Sequence, residues 1–146
     1  MAGFTQEINS DVLYQTLING GVINTNTTTV GAIINKELSI NFPYAYEFLM
    51  QSRVVTDGTF VLFLEESDDG ITFVPVSFDY IVNNGNPGFP VTFVAGDNNL
   101  TRSEGYVGLK QYIRASIVST GVTVGGDFSL TVEEIIHRHQ PVPAQA

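Results

Sequence analysis

Near the C-terminal end of the chain, apolar and polar residues alternate with period two. Val122, Val124, Phe128, Leu130, Val132 and Ile136 share one parity, and Thr123, Gly125, Asp127, Ser129, Thr131 and Glu133 share the other. Side chains of a strand alternate between its faces, so this pattern predicts a strand with one buried and one wet face. The Gly125–Gly126 pair within it marks a bulge or a sharp bend. The preceding run, Tyr106–Val118, alternates too. Val107, Leu109, Ile113, Ala115 and Ile117 face the core, and Tyr106, Lys110, Tyr112, Arg114 and Ser116 face outward. With Ser119-Thr120-Gly121 as the turn, the two runs are expected to pair as an antiparallel hairpin.

A second hairpin is predicted from Thr59–Glu66 and Ile71–Val76, which flank Ser67-Asp68-Asp69-Gly70. Asp caps such a turn, and Gly supplies its positive φ. In the first arm both parities are apolar, with Phe60, Leu62 and Leu64 on one side and Val61 and Phe63 on the other. A strand covered on both faces is either central to a sandwich or part of a subunit contact. Pro75 donates no ladder hydrogen bond and places the second arm at an edge or a bulge. Tyr44–Val55 alternates with Tyr44, Tyr46, Phe48 and Met50 inward, and Asp57-Gly58 turns the chain into the hairpin. Leu38, Ile40 and Phe42 form a short strand, as does Thr28–Ile34. Asn83–Pro90 is the longest loop, and helix is confined to a turn around Asn9–Leu17. Strands at short intervals between Gly, Asn and Asp clusters predict a sandwich or barrel. The boundaries are an N-terminal arm over 1–12, one domain over 13–137, and a Pro-containing C-terminal arm over 138–146.

Composition strengthens the β reading: Val, Ile and Thr make up 43 of the 146 residues, and β-branched side chains suit a pleated surface. The length fits one core. There is no cysteine, which removes disulfides and thiolate metal sites. Fifteen acidic residues against six basic ones give a net charge of −9. Such a surface repels phosphate backbones and anionic membranes, so neither nucleic acid nor membrane is an expected partner. Met1–Asn9 lacks the basic and apolar regions of a secretory leader, which predicts synthesis in a cytoplasm.

No catalytic set can be assembled, so no enzyme is expected. His137 and His139 could donate two ligands to a metal, but only Glu133 and Glu134 are close enough in sequence to complete a site. A polar strand end is the simpler reading. Glu65, Glu66, Asp68 and Asp69 lack the ligand spacing of a calcium loop and read as a solvated hairpin tip. No serine stands in a nucleophile motif, and no Gly-rich loop opens a helix. No cofactor or metal is therefore expected. Tyr106, Lys110, Tyr112 and Arg114 mix aromatic and basic side chains on one outer face. That mixture favours a protein interface over a nucleic-acid platform in so acidic a chain.

Two segments carry a resemblance. Asp57-Gly58-Thr59-Phe60 through Leu64-Glu65-Glu66-Ser67-Asp68-Asp69-Gly70-Ile71-Thr72-Phe73 is followed further on by Gly105-Tyr106-Val107-Gly108-Leu109-Lys110-Gln111-Tyr112-Ile113-Arg114. Over residues 44–137 this order resembles small proteins of tailed bacteriophages, among them capsid decoration (cement) proteins. The resemblance implies an all-β fold: an antiparallel β-sandwich, jelly-roll-like, with extended N- and C-terminal arms. It also implies a structural virion protein on the capsid exterior. Such a protein forms homo-oligomers, dimers or trimers, and clamps neighbouring subunits of the major capsid protein. A polyproline-like tail loses little entropy on docking, which suits an arm. The expected interface residues are Phe4, Val61, Phe63, Tyr106, Lys110, Tyr112, Arg114, Pro141, Val142 and Pro143. Two alternatives remain open: a head–tail connector or tail protein, and a carbohydrate-binding β-sandwich using Tyr106, Tyr112 or Phe89.

Overall fold

The alternating runs become twelve antiparallel strands in a computed structural model that describes residues 12–18, 20–36, 45–83 and 90–135. They are β1 (Val12–Ile18), β2 (Val22–Ile23), β3 (Thr28–Val30), β4 (Ile34–Asn35), β5 (Ala45–Val55) and β6 (Thr59–Ser67). After these come β7 (Val74–Pro75), β8 (Ile81–Val82), β9 (Thr92–Val94), β10 (Thr101–Tyr106), β11 (Tyr112–Thr120) and β12 (Gly126–Ile135). One sheet runs β1-β12-β5-β10-β8, with β2 also paired to β12. The other runs β3-β11-β6-β7, with β4 on β11 and β9 on β6. Between the long strands the chain changes sheet at each step, from β4 to β5, β5 to β6, β9 to β10, β10 to β11 and β11 to β12. That wrapping is a jelly-roll sandwich, as the resemblance implies.

The core lies between the sheets. Tyr46, Phe48 and Met50 of β5, Phe60, Leu62 and Leu64 of β6, and Phe128, Leu130 and Val132 of β12 are all buried, on the predicted parities. Phe128 packs against Phe60 (ring centroids 4.6 Å apart) and edge-on against Phe93 (5.6 Å), a favoured aromatic geometry. The β6–β7 hairpin forms as expected, with Glu65 opposite Pro75 and Glu66 opposite Val74. Its turn has Gly70 at φ +76°. Pro75 stands on an edge strand.

Three expectations are corrected. First, β11 and β12 do not pair with one another. β11 pairs along its whole length with β6, and β12 with β5, in opposite sheets. Alternation specifies one buried face per strand, and facing strands across a sandwich satisfy it as well as hairpin neighbours do. The crossing is held by Asp57, whose carboxylate accepts the backbone N–H groups of Thr123 (3.0 Å), Val124 (3.0 Å) and Gly125 (2.8 Å). Val124 is accordingly 57% exposed. Second, Tyr106–Val118 is two strands in different sheets. Residues 107–111 cross between them and reset the parity, so Tyr106 points inward while Leu109 is 89% exposed. Third, the helical turn around Asn9–Leu17 gives way from Val12 onward to β1, paired with β12; its first residues lie outside the described ones. So do Leu38, Ile40, Phe42 and Tyr44, and most of the Asn83–Pro90 loop.

Candidate interaction surface

The outer faces of the two sheets differ. On the β12-β5-β10 face the cross-strand rows are largely polar: Thr101–Gln51–Ser129, then Ser103–Leu49–Thr131. On the β3-β11-β6 face the second apolar parity of β6 comes to the surface. Phe63 stands opposite Ser116, which stands opposite Val30. The next row joins Thr28, Val118, Val61 and Thr92. Phe63 is 41% and Val30 48% exposed. Exposed Phe63 and Val30 and half-buried Val61 and Val118 make this face the more apolar of the two and a candidate contact surface.

On the other side of the Phe63–Ser116 row, Arg114 faces Glu65, and its Nε donates to Glu65 Oε1 at 2.8 Å. Its guanidinium also lies 4.0 Å from the centre of the Phe73 ring. The ion pair and the ring together restrain the guanidinium. Tyr112, opposite Ser67, packs on Gly70, where a Cβ would already press on the ring at 3.2 Å. Asp69 closes the turn by accepting the N–H groups of Ile71 and Thr72, each at 2.9 Å. Those bonds hold its carboxyl below the usual range. Lys110 Nζ reaches Asp68 at 2.7 Å, which raises the lysine's pKa.

Of the expected interface residues, the structure therefore brings Val61, Phe63, Tyr112 and Arg114 onto one face, with Lys110 at its end. Tyr106 is a correction, being 1% exposed and inside the sandwich. Its hydroxyl donates to Glu66 Oε1 (2.8 Å) and accepts from the Lys110 N–H (3.2 Å). Burial, then the Glu66 bond, pushes its pKa up. Lys36 Nζ lies 5.3 Å over the Tyr106 ring and donates to the Gly108 carbonyl at 2.8 Å. A sugar platform on Tyr106 is thereby excluded. Phe4, Phe89, His137, His139, Pro141, Val142 and Pro143 lie outside the described residues.

The four acids at the hairpin tip do not converge. Glu65 pairs with Arg114, Glu66 with Tyr106, Asp68 with Lys110, and Asp69 with its own turn. Among the described residues no group of three or more His, Cys, Asp or Glu could hold a metal ion. No described helix is long and apolar enough to cross a membrane. The sequence reading missed Glu104, buried on β10, whose Oε1 accepts the Val91 N–H at 2.7 Å. Burial, only partly opposed by that bond, raises its pKa. The pair Gly105 and Gly108 was the signal that the Tyr106 run breaks.

No family model matches the chain, and no curated protein sequence matches it. Among solved structures, the chain is similar to the exported protein XepA of PBSX, a phage-like element. The TM-score is 0.60 at 15% identity over 92% of this chain, which spans 40% of the length of that protein. More remote are a protein of the disulfide-linked pili of Bacillus endospore appendages and the CBM22-1–GH10 modules of Clostridium thermocellum xylanase 10B. The pilus protein has a TM-score of 0.41 at 12% identity, covering 86% of this chain and 88% of that one. The xylanase has 0.43 at 16%, covering 91% and 26%. At 15% identity, what this chain shares with XepA is the β-sandwich fold.

Proposed function

We propose that this chain is a structural virion protein that binds the outer surface of a phage head and cements contacts between major capsid subunits. In this reading it acts as a homo-oligomer and performs no catalysis. The observation that carries the proposal is the apolar strip Val61–Phe63–Val118–Val30 on the outer face of the β6-containing sheet. Rigid, paired strands present it, and Arg114 is stacked beside it. Residues of this kind form the buried centre of protein interfaces, with Arg and aromatic groups enriched there. The similarity of fold to a protein of a phage-like element supports the setting.

The test is sedimentation of purified, undecorated heads of the encoding phage with added protein. Wild-type protein is expected to co-sediment and to raise the temperature at which the heads break open. The double substitution Val61→Asp and Phe63→Asp, on an exposed face, should leave the circular dichroism spectrum unchanged and abolish binding. Equal decoration by the double variant would refute the surface. Label at a single vertex or along the tail would replace cementing with a connector or tail role.

A further inference from the structure

The opposite, polar face carries a second feature that the virion reading does not use. Between the β1–β2 link and the β9–β10 link runs a groove of about 540 Å³, lined by Gly20, Gly21, Gln51, Arg53, Asn99, Asp127 and Ser129 among others. That volume falls within the range of about 300–1,000 Å³ typical of small-molecule sites.

Three departures from regular structure meet there. Val54 pairs with Asp127 and Ser52 with Phe128, so Arg53 is the extra residue of a β-bulge in the middle of the sheet. Bulges re-aim side chains, and they concentrate near functional sites. Asn99, whose N–H donates to the Arg53 carbonyl at 3.2 Å, is the one described non-glycine residue with positive φ (+53°). Gly20 and Gly21 both have positive φ, and Gly21 is fastened to β12 at both ends. Its N–H donates to Asp127 Oδ1, and its carbonyl accepts from Phe128.

The side chains lining the groove are also unspent. The described cations Lys36, Arg102, Lys110 and Arg114 all have polar partners within the fold. Among the described residues Arg53 has no such partner, and the side chains of Gln51, Asn99 and Ser129 likewise make no hydrogen bond there. A free guanidinium offers two parallel N–H donors that match a carboxylate. Gln51, Asn99 and Ser129 both donate and accept, and Asp127 has a further oxygen to accept with. That mixture suits hydroxyl groups, which also do both.

The geometry points to this groove as a binding site for an acidic saccharide, with Arg53 holding the uronate carboxylate and Gln51, Asn99, Ser129 and Asp127 taking ring hydroxyls. A peptide is a poorer occupant, because the floor strands β5 and β12 are each paired on both sides and offer no free backbone edge. Among the described residues that line the groove no aromatic ring is exposed, since Phe128 is buried beneath it. Recognition therefore rests on hydrogen bonds and charge, in a protein whose net charge of −9 opposes anions.

The experiment is a titration of isotopically labelled full-length protein with digalacturonate, followed by amide chemical shifts. The expected result is saturable shifts centred on Gly20, Gly21, Asn99 and Ser129. Arg53→Ala should weaken binding about tenfold or more, as befits loss of a charge-assisted pair. Arg53→Lys, which keeps the charge and loses the fork, should fall between. Neutral galactobiose should bind about tenfold more weakly than digalacturonate. Absence of shifts, or equal affinity in Arg53→Ala with its spectrum otherwise intact, overturns the site. Equal binding of the neutral disaccharide overturns the carboxylate, and tighter binding of a tetraglutamate peptide overturns the saccharide. None of these outcomes bears on the capsid reading, which concerns the other sheet.

Discussion

Replacing Gly125 by alanine probes how the chain passes from one sheet to the other between β11 and β12. Gly125 has φ +97°, and a Cβ there would overlap the backbone carbonyl oxygen of Ile23. Gly96 is its natural control, with φ +90° and open space where a Cβ would go. Forcing an L-residue into such a conformation costs about 1–3 kcal/mol, and Gly96→Ala should cost that alone. Gly125→Ala must in addition drive the Ile23 carbonyl away. That breaks the pairing of β2 with Gly126 and Asp127 and uncovers Ile23, which is buried. Lost backbone hydrogen bonds (about 0.5–1.5 kcal/mol each) and partial exposure of one Ile (about 1.5–3 kcal/mol if complete) add roughly 2–3 kcal/mol. Gly125→Ala is therefore expected to lose about 4 kcal/mol, a large share of the ~5–15 kcal/mol of an ordinary domain. Urea unfolding of both variants at 25 °C, followed by circular dichroism, measures the difference. Equal losses in the two variants would refute the additional cost assigned to the Ile23 contact.

Three further outcomes are expected. Asp57 has its pKa lowered, first by the Thr123 N–H and then by those of Gly125 and Val124. Its stabilising contribution is present above the unfolded value of 3.8 and disappears as pH falls through the lower folded value. Asp57→Ala should thus lower Tm at pH 7, and the gap from wild type should close in strong acid in a pH series of thermal melts. Glu104 has the opposite sign: burial raises its pKa, so the folded state holds its proton more tightly and loses stability as pH rises past the unfolded value. Glu104→Gln keeps an oxygen for the Val91 N–H, and should be more stable than wild type at pH 7 but not at pH 4; a gain that persists in acid would argue against this. Deleting residues 1–9 or 140–146 should leave Tm of the domain within a few degrees while weakening attachment to heads in the sedimentation assay. Full attachment of both truncated forms would remove these terminal segments from the binding mechanism.

Much of the fold was legible along the chain, because burial of one strand face imposes period two wherever a strand has one wet side. The inward sets of β5, β6 and β12, the turn at Ser67–Gly70 and the edge position of Pro75 all follow from local rules of this kind. Part of the candidate surface was legible as well: Val61 and Phe63 are apolar on a parity that one core cannot absorb, and the structure leaves Phe63 exposed and Val61 half-buried on the outer face. Period two is silent, however, about which sheet a strand joins, and there the local reading failed. The runs ending at Val118 and starting at Val122 face each other across the core, and Tyr106 is buried because five residues after it reset the parity. Glu104 and Arg53 gave no signal, since a buried carboxylate and a bulge depend on what lies across the sheet. The sequence by itself determined an all-β domain with a surplus apolar face. Only the tertiary structure decided which strands share a sheet, because that choice rests on contacts between residues far apart in the chain, such as Asp57 with Thr123–Gly125, which no local periodicity encodes.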